Sequence, residues 1–394
     1  MKTRLLALTL ALALCFTAFA ACSPKDDAAA TPGGNTGPDA APATDGGTAG
    51  GTSYKLGVNT WGSGVPILDS FGDAAEYAIK KLGSTTTRAS DDFTADKELT
   101  NAQNFIGGGV DGMVFQAAAV TTLNQIAEEA KAAKVPFALH IFIGDDADRA
   151  AIADNNEYYV GAVDADMVLD GKLVAQYALA DGCTKALIIG GNIGDNNMDQ
   201  RIEGFKKEFE ANGGKVLFEA RCTDNSEAPQ KAEDMLAANQ DADCLYALVG
   251  DYVAGSLSAI DNLGRSDINF YMSCIDKESA NYIKEGRIKG GNDGISLGSY
   301  IAPTLMLNYL DGHKILDANG KAPRFQTQPF KVTADNVDQY LSVFYSSDAN
   351  VKPLSQGMLE SLCFRTNPNV TYDTYVNFIS NLTLDTMLTE YGLK

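Results

Sequence analysis

From Tyr54 onward, short apolar runs alternate with stretches whose apolar positions recur at helical spacing. Residues 55–59 read as a strand. Phe71, Ala74, Ala75, Ala78 and Leu82 then follow helical spacing and stop at Gly83. A second helix closes at residues 102–106, before three consecutive glycines. Residues 112–116 form a strand, 123–133 a helix, and 135–140 another strand that tolerates Pro136 near its start. The pattern then restarts. Helices are expected at 167–179, 201–211, 228–238 and 254–263, with strands at 186–190, 216–220, 244–249 and 268–273. Strands alternating with helices of this length predict parallel sheets covered on both faces. Two successive runs predict two doubly wound α/β lobes, whose ligands collect at the carboxyl ends of the strands.

The start of the chain has a different character. Lys2 and Arg4 precede an apolar run that ends in Phe19-Ala20-Ala21-Cys22. A basic start, an apolar centre and small residues before a cut make a secretory signal over residues 1–21. The run is shorter than the roughly 20 residues a membrane-spanning helix needs. Cys after two small residues resembles a bacterial lipobox, although Phe19 stands where an aliphatic residue is usual. That resemblance implies a lipid on Cys22 and an outer-face membrane anchor. Residues 23–53 contain no Val, Ile, Leu, Met or aromatic residue. Such a stretch cannot bury enough surface to offset the entropy of ordering, so residues 22–53 read as a flexible tether.

Composition narrows the function classes. The 394 residues are 45% hydrophobic, with 31 Lys and Arg against 51 Asp and Glu, for a net charge of −20. This acidity excludes nucleic acid as the expected partner, because phosphate binding needs clustered cations. The two histidines, His140 and His313, are far apart, so neither a multi-His metal site nor a cofactor is expected. No HExxH, P-loop or CxxC motif occurs, which argues against an enzyme. Cys183, Cys222, Cys244, Cys274 and Cys363 are odd in number, leaving at least one free thiol.

The order of several motifs resembles the type I periplasmic binding proteins, in their ribose-binding-like branch. The likeness rests on Lys97-Glu98-Leu99 with Asn101 and Gln103, on Gly109-Val110-Asp111-Gly112, and on Lys131 through Pro136. It continues through Ala162-Val163-Asp164, Gly171 through Ala175, Arg201 with Gly204 and Phe205, Gly264 through Asp267, and Glu285 through Ile288. It covers roughly residues 54–340. The resemblance implies two lobes joined by a three-crossing hinge, closing on a small ligand. The expected division is a first lobe at 54–162 with 294–326, and a second at 163–293 with 327–394. Residues 335–394 exceed the family pattern and are expected as a C-terminal helical extension against the second lobe.

The resemblance also implies ligand contacts. Asn59 maps onto a family contact, and the sole Trp, Trp61, follows it in a Gly-rich turn suited to stacking on a sugar face. Gln116 aligns with a family Asn. His140 and Phe142 occupy the end of the fourth strand, where ribose-type members carry Asp-Arg. Asp199 falls where a ligand-binding Arg is common, with Asn196 and Asn197 beside it, and Arg201 matches a structural Arg. Asp251, Asp276 and Asn292, the last next to Asp293, complete the set. The shortage of Arg tilts the ligand towards a neutral polyol or a cation, with Arg88 the exception to weigh. The implied function is capture of a monosaccharide for an ABC transporter permease. A nucleoside, an autoinducer or another small molecule, serving uptake or sensing, is the alternative on the same scaffold.

Overall fold

The computed structural model describes residues 52–141 and 144–394, all within one compact unit. The expected signal, Cys22, nearly all of the tether, and Phe142 lie outside the described residues.

The first lobe begins with β1 (Lys55–Thr60), α1 (Pro66–Lys81), β2 (Thr85–Ser90), α2 (Ala95–Gly107), β3 (Gly112–Phe115) and α3 (Val120–Ala133). It continues with β4 (Phe137–Ile141), α4 (Asp146–Ala153) and β5 (Tyr159–Ala165). The second lobe runs through α5 (Met167–Ala180), β6 (Lys185–Gly190), α6 (Asn196–Ala211), β7 (Lys215–Arg221) and α7 (Ala228–Ala238). Then come β8 (Cys244–Ala247), α8 (Val253–Leu263), β9 (Asn269–Ser273), α9 (Lys277–Lys284) and β10 (Gly290–Asp293). The chain returns through α10 (Leu297–Leu310) and β11 (Arg324–Thr327), then crosses to β12 (Phe330–Thr333).

Each lobe is built on a six-stranded sheet, ordered β11-β5-β4-β3-β1-β2 in the first and β12-β10-β9-β8-β6-β7 in the second. The strands run parallel except β12, which pairs antiparallel with β10 as an edge strand. The crossings fall at β5 to α5, β10 to α10 and β11 to β12. β5 stays in the first sheet as far as Ala165, so the first crossing lies at Asp166 rather than after residue 162.

Local chemistry explains the element ends. Pro66 opens α1, where a missing N–H costs nothing, and Lys80 and Lys81 sit against the carbonyl end of its dipole. Asp195 caps α6 by accepting from the Asn197 and Met198 amides, and Asp276 caps α9. Helices α5 and α6 touch through Gly171 and Gly204. A Cβ at either would run into a backbone carbonyl of the other helix. The body cysteines are free and buried, with no disulfide among them.

The extension consists of α11 (Val337–Phe344), α12 (Gln356–Ser361), α13 (Tyr372–Ser380) and α14 (Leu384–Glu390). It packs on both lobes, which corrects its expected confinement to the second. Helix α11 sits on α9 of the second lobe, whereas α12 meets α1 and α10, and α13 meets β11. The cause is a buried polar knot on the first lobe. The Asn308 amide donates to the Leu362 carbonyl at 2.8 Å, and Arg365 pairs with Asp311 at 2.8 Å. Tyr375 adds a hydroxyl contact with Thr304 at 2.7 Å.

Candidate functional site

A cavity of about 570 Å³ opens where the carboxyl ends of the two sheets face each other. Trp61, Leu68, Phe71, Gln116 and Ile141 form the first-lobe wall. Asn196, Asn197, Met198, Arg201, Cys274 and Ile295 form the second. Its size and mixed lining fit a small ligand. A larger hollow of about 1380 Å³ lies at α4 and the α10–β11 connection. Only first-lobe and hinge residues line it, so movement of one lobe on the other would not enclose it.

The first-lobe wall rests on a chain of buried amides and one carboxyl. Asn101 donates to Asp91 at 2.8 Å, and Asn59 donates to the other Asp91 oxygen at 2.6 Å. The Asn59 oxygen accepts the Gln116 backbone N–H at 2.6 Å. Gln116 Oε1 in turn accepts the Trp61 backbone N–H at 3.0 Å. Burial pushes the Asp91 carboxyl up to about 7, against the lowering by its amide donors. Trp61 also meets Phe93 edge-on, with ring centroids 6.5 Å apart. Trp61 lines the cavity, and Gln116 Nε2 has no acceptor among the described residues.

The second-lobe wall is organised by a buried ion pair. Arg201 Nε donates to Asp170 at 2.7 Å, and a second Arg201 nitrogen reaches Cys274 Sγ at 2.8 Å. The other Asp170 oxygen accepts from Ser273 at 2.9 Å and from Asn292 at 3.0 Å. The lining therefore carries one cation, Arg201, already neutralised by Asp170, and one acid, Asp195, whose Oδ1 caps α6. With its Arg paired and a carboxylate present, such a site disfavours an acidic ligand.

Of the residues expected at the ligand, Trp61 and Gln116 line the cavity. Four others do not line it. Asn59 is buried, and its amide is consumed by Asp91 and the Gln116 backbone, so it positions Gln116. His140 is fully buried behind the wall, with Nδ1 2.8 Å from Ser299 of α10, and burial drags its imidazole down to about 4. Asp199 pairs with Arg221 at 2.6 Å and accepts the Gly194 amide, which ties down the loop before α6. Asn292 accepts from Tyr177 at 2.8 Å and donates to Asp170, so it braces the ion pair. In each case a polar group found a partner inside the protein.

Asp251 and Asp276 stand outside the cavity lining. Asp251 accepts from Asn225 at 2.8 Å, and burial together with the nearby Asp276 raises its carboxyl. Asp276 spends one oxygen on the α9 cap, at 2.7 Å. Arg88 is held by Asp73 at 2.6 Å, away from the cavity. Sequence reasoning missed Ile67, Leu68, Phe71, Met198, Cys274 and Ile295, all on the lining. The available signal was position, since each lies in a loop or first helical turn after a strand end, except Phe71, which sits one turn further along α1. Two wall residues, Ile141 and Cys274, also have left-handed backbones, with φ of 72° and 55°.

Comparison with known proteins agrees with this architecture. Residues 56–314, well over half of the chain, match a family model described as a periplasmic binding protein domain. Among curated relatives, the ribose import binding protein of Salmonella typhimurium is 23% identical over 206 residues, covering 52% of this chain and 66% of that one. The galactofuranose-binding protein of Escherichia coli is 22% identical over 200 residues, covering 49% and 61%. The chain thus spans just under two thirds of the length of the curated relatives it matches. Among solved structures, a galactofuranose binding protein superposes with a TM-score of 0.63 at 18% identity, covering 73% of this chain and 97% of that one. A solute binding protein from Actinobacillus succinogenes with bound D-allose gives 0.65 at 17% identity, covering 73% and 100%.

Proposed function

We propose, from the premise that this chain belongs to the periplasmic binding protein family, that it captures a neutral monosaccharide between its lobes and delivers it to an ABC importer. The observation that carries the reading is the cleft itself. It joins the carboxyl ends of two parallel sheets and holds Trp61 beside the Gln116 amide, which has no acceptor among the described residues. Its one lining cation, Arg201, is paired with Asp170, so no Arg is left for an acidic ligand. In this reading the sugar C–H face stacks on Trp61, and Gln116 Nε2 donates to a hydroxyl. Asn196 and Asn197 approach from the other lobe, and Asp251 and Asp276 reach the ligand as the lobes close. The named ligands of the relatives, ribose and galactofuranose, fall in the same class. The family works outside the cytoplasm. We further propose that a lipid on Cys22 holds the chain at the membrane; the support is the lipobox-like Phe19-Ala20-Ala21-Cys22 after the apolar run.

A second reading draws on the apolar share of the walls. Ile67, Leu68, Phe71, Met198 and Ile295 would suit a ligand with a larger apolar face, such as a nucleoside. Fluorescence of the single Trp separates the two. The body from Thr52 is titrated with neutral sugars, nucleosides and amino acids. A saturable change with one sugar supports the first reading, and a response to nucleosides alone replaces it with the second. A Cys22→Ala chain that still partitions into the membrane fraction would refute the anchor.

A further inference from the structure

The first helix of the extension reaches the back of the cleft. Tyr340 of α11 is fully buried, and its hydroxyl lies 2.7 Å from the Ile275 carbonyl and 2.6 Å from Asp293 Oδ2. Tyr345 donates to the same Ile275 carbonyl at 3.1 Å. Both acceptors adjoin the second-lobe wall. Ile275 follows Cys274, and Asp293 comes two residues before Ile295, and both Cys274 and Ile295 line the cavity.

This stretch of wall is strained. Cys274 holds a φ of 55°, a conformation that side chains with a Cβ rarely adopt. Strain of this kind persists only where surrounding contacts over-determine the backbone, and it clusters at ligand sites. The Cys274 amide donates to the Asn292 carbonyl at 3.0 Å, its sulfur accepts from Arg201, and the next carbonyl is held by the two tyrosines. The family match ends at residue 314, so the tyrosines come from outside it.

We propose that Tyr340 is a positioning residue for the cleft: it fixes the Ile275 carbonyl and the Asp293 carboxyl, and so holds the Cys274–Ile275 turn in the shape that forms the second-lobe wall. The inference rests on the cleft being the ligand site, and its test is read first without ligand. In the unliganded full chain, Tyr340→Phe should raise hydrogen exchange at Ile275, Gly294 and Ile295 at least tenfold. Tyr345→Phe should raise it less, and at Ile275 only. Tyr375→Phe, in the part of the extension bound to the first lobe, should leave these amides unchanged.

A carboxyl carbon titration separates positioning from mere packing. The groups facing Asp293 are Asp170 on α5, Cys274 after β9, and Tyr340 and Tyr345 on the extension. Burial puts the Asp293 midpoint near 7, and the Tyr340 hydroxyl lowers it by donating to the carboxylate. Tyr340→Phe should therefore move that midpoint upward, and Tyr345→Phe should not. With D-ribose, D-allose or L-arabinose as the probe, whichever changes Trp61 fluorescence, Tyr340→Phe should weaken binding about tenfold. Altered exchange with no sugar bound by the wild type would sink the sugar reading and leave this inference standing. Unchanged exchange together with an unmoved Asp293 midpoint would overturn it. If Tyr340→Phe does not fold, wild-type exchange in rising urea decides. The 274–276 amides should open together with α11, and a turn that stays protected after α11 has opened would refute the proposal.

Discussion

Replacing Arg201 with Met isolates the ion pair beneath the second-lobe wall. The Arg201 and Asp170 side chains are 2% and 7% exposed, so water does not screen them. Removing one partner of a buried pair costs about 3–5 kcal/mol, because the remaining charge is left uncompensated. Asp170 keeps Ser273 and Asn292 as donors to one oxygen, while its other oxygen loses the Arg201 bond. That places the expected loss at the lower end, about 3 kcal/mol. Equilibrium urea unfolding followed by circular dichroism reads it. With a slope of roughly 1–3 kcal/mol/M, the midpoint of the second-lobe transition should fall by about 1 M or more. The double variant Asp170→Leu with Arg201→Met should recover a large part of the loss, since an apolar replacement removes the stranded charge. A loss below about 1 kcal/mol in Arg201→Met, or strict additivity in the double variant, would refute the reasoning.

Three further outcomes follow from the same structure. Burial pushes Glu98 up to about 8, so the folded chain binds a proton there that the unfolded chain has already released above about 4.5. Wild-type stability from this group is full below about pH 4.5 and is lost as pH rises through about 8. Glu98→Gln should therefore gain on wild type by roughly 1.4 kcal/mol per pH unit across that window, read as melting temperature against pH. Parallel curves would count against it. Gly171→Ala places a methyl against the Arg201 carbonyl, which as backbone cannot swing aside, so α5 and α6 must part at a cost of about 3 kcal/mol. An unaltered melting temperature would contradict that packing. Gln116→Leu keeps the volume but strands the Trp61 amide and removes the free donor. Binding of the probe sugar should weaken roughly 10- to 100-fold in a fluorescence titration, and an unchanged Kd would remove Gln116 from the site.

The lobes themselves were readable from the chain. The apolar runs at β1, β3, β6 and β8 are buried along nearly their whole length, and runs of that kind announce central parallel strands without tertiary information. The helical character of residues 335–394, which became α11 to α14, was expected too, because helical spacing is a local property. Which lobe they cover was not visible. It depends on Asn308, Thr304 and Asp311 meeting Leu362, Tyr375 and Arg365 across 54 to 71 residues.

The candidate site divides the same way. Sequence alone determined which positions fall at the carboxyl ends of the strands, since strand length and period set where each run stops. It could not determine where those side chains point. Asn59 turns to Asp91, Asp199 to Arg221 and Asn292 to Asp170, each partner delivered by a different segment. Trp61 and Gln116 stay at the cavity because the Asn59 relay holds their backbones in place. A buried polar group takes the nearest partner that satisfies it, and only the order of strands in the folded sheet decides whether that partner is another side chain or a ligand.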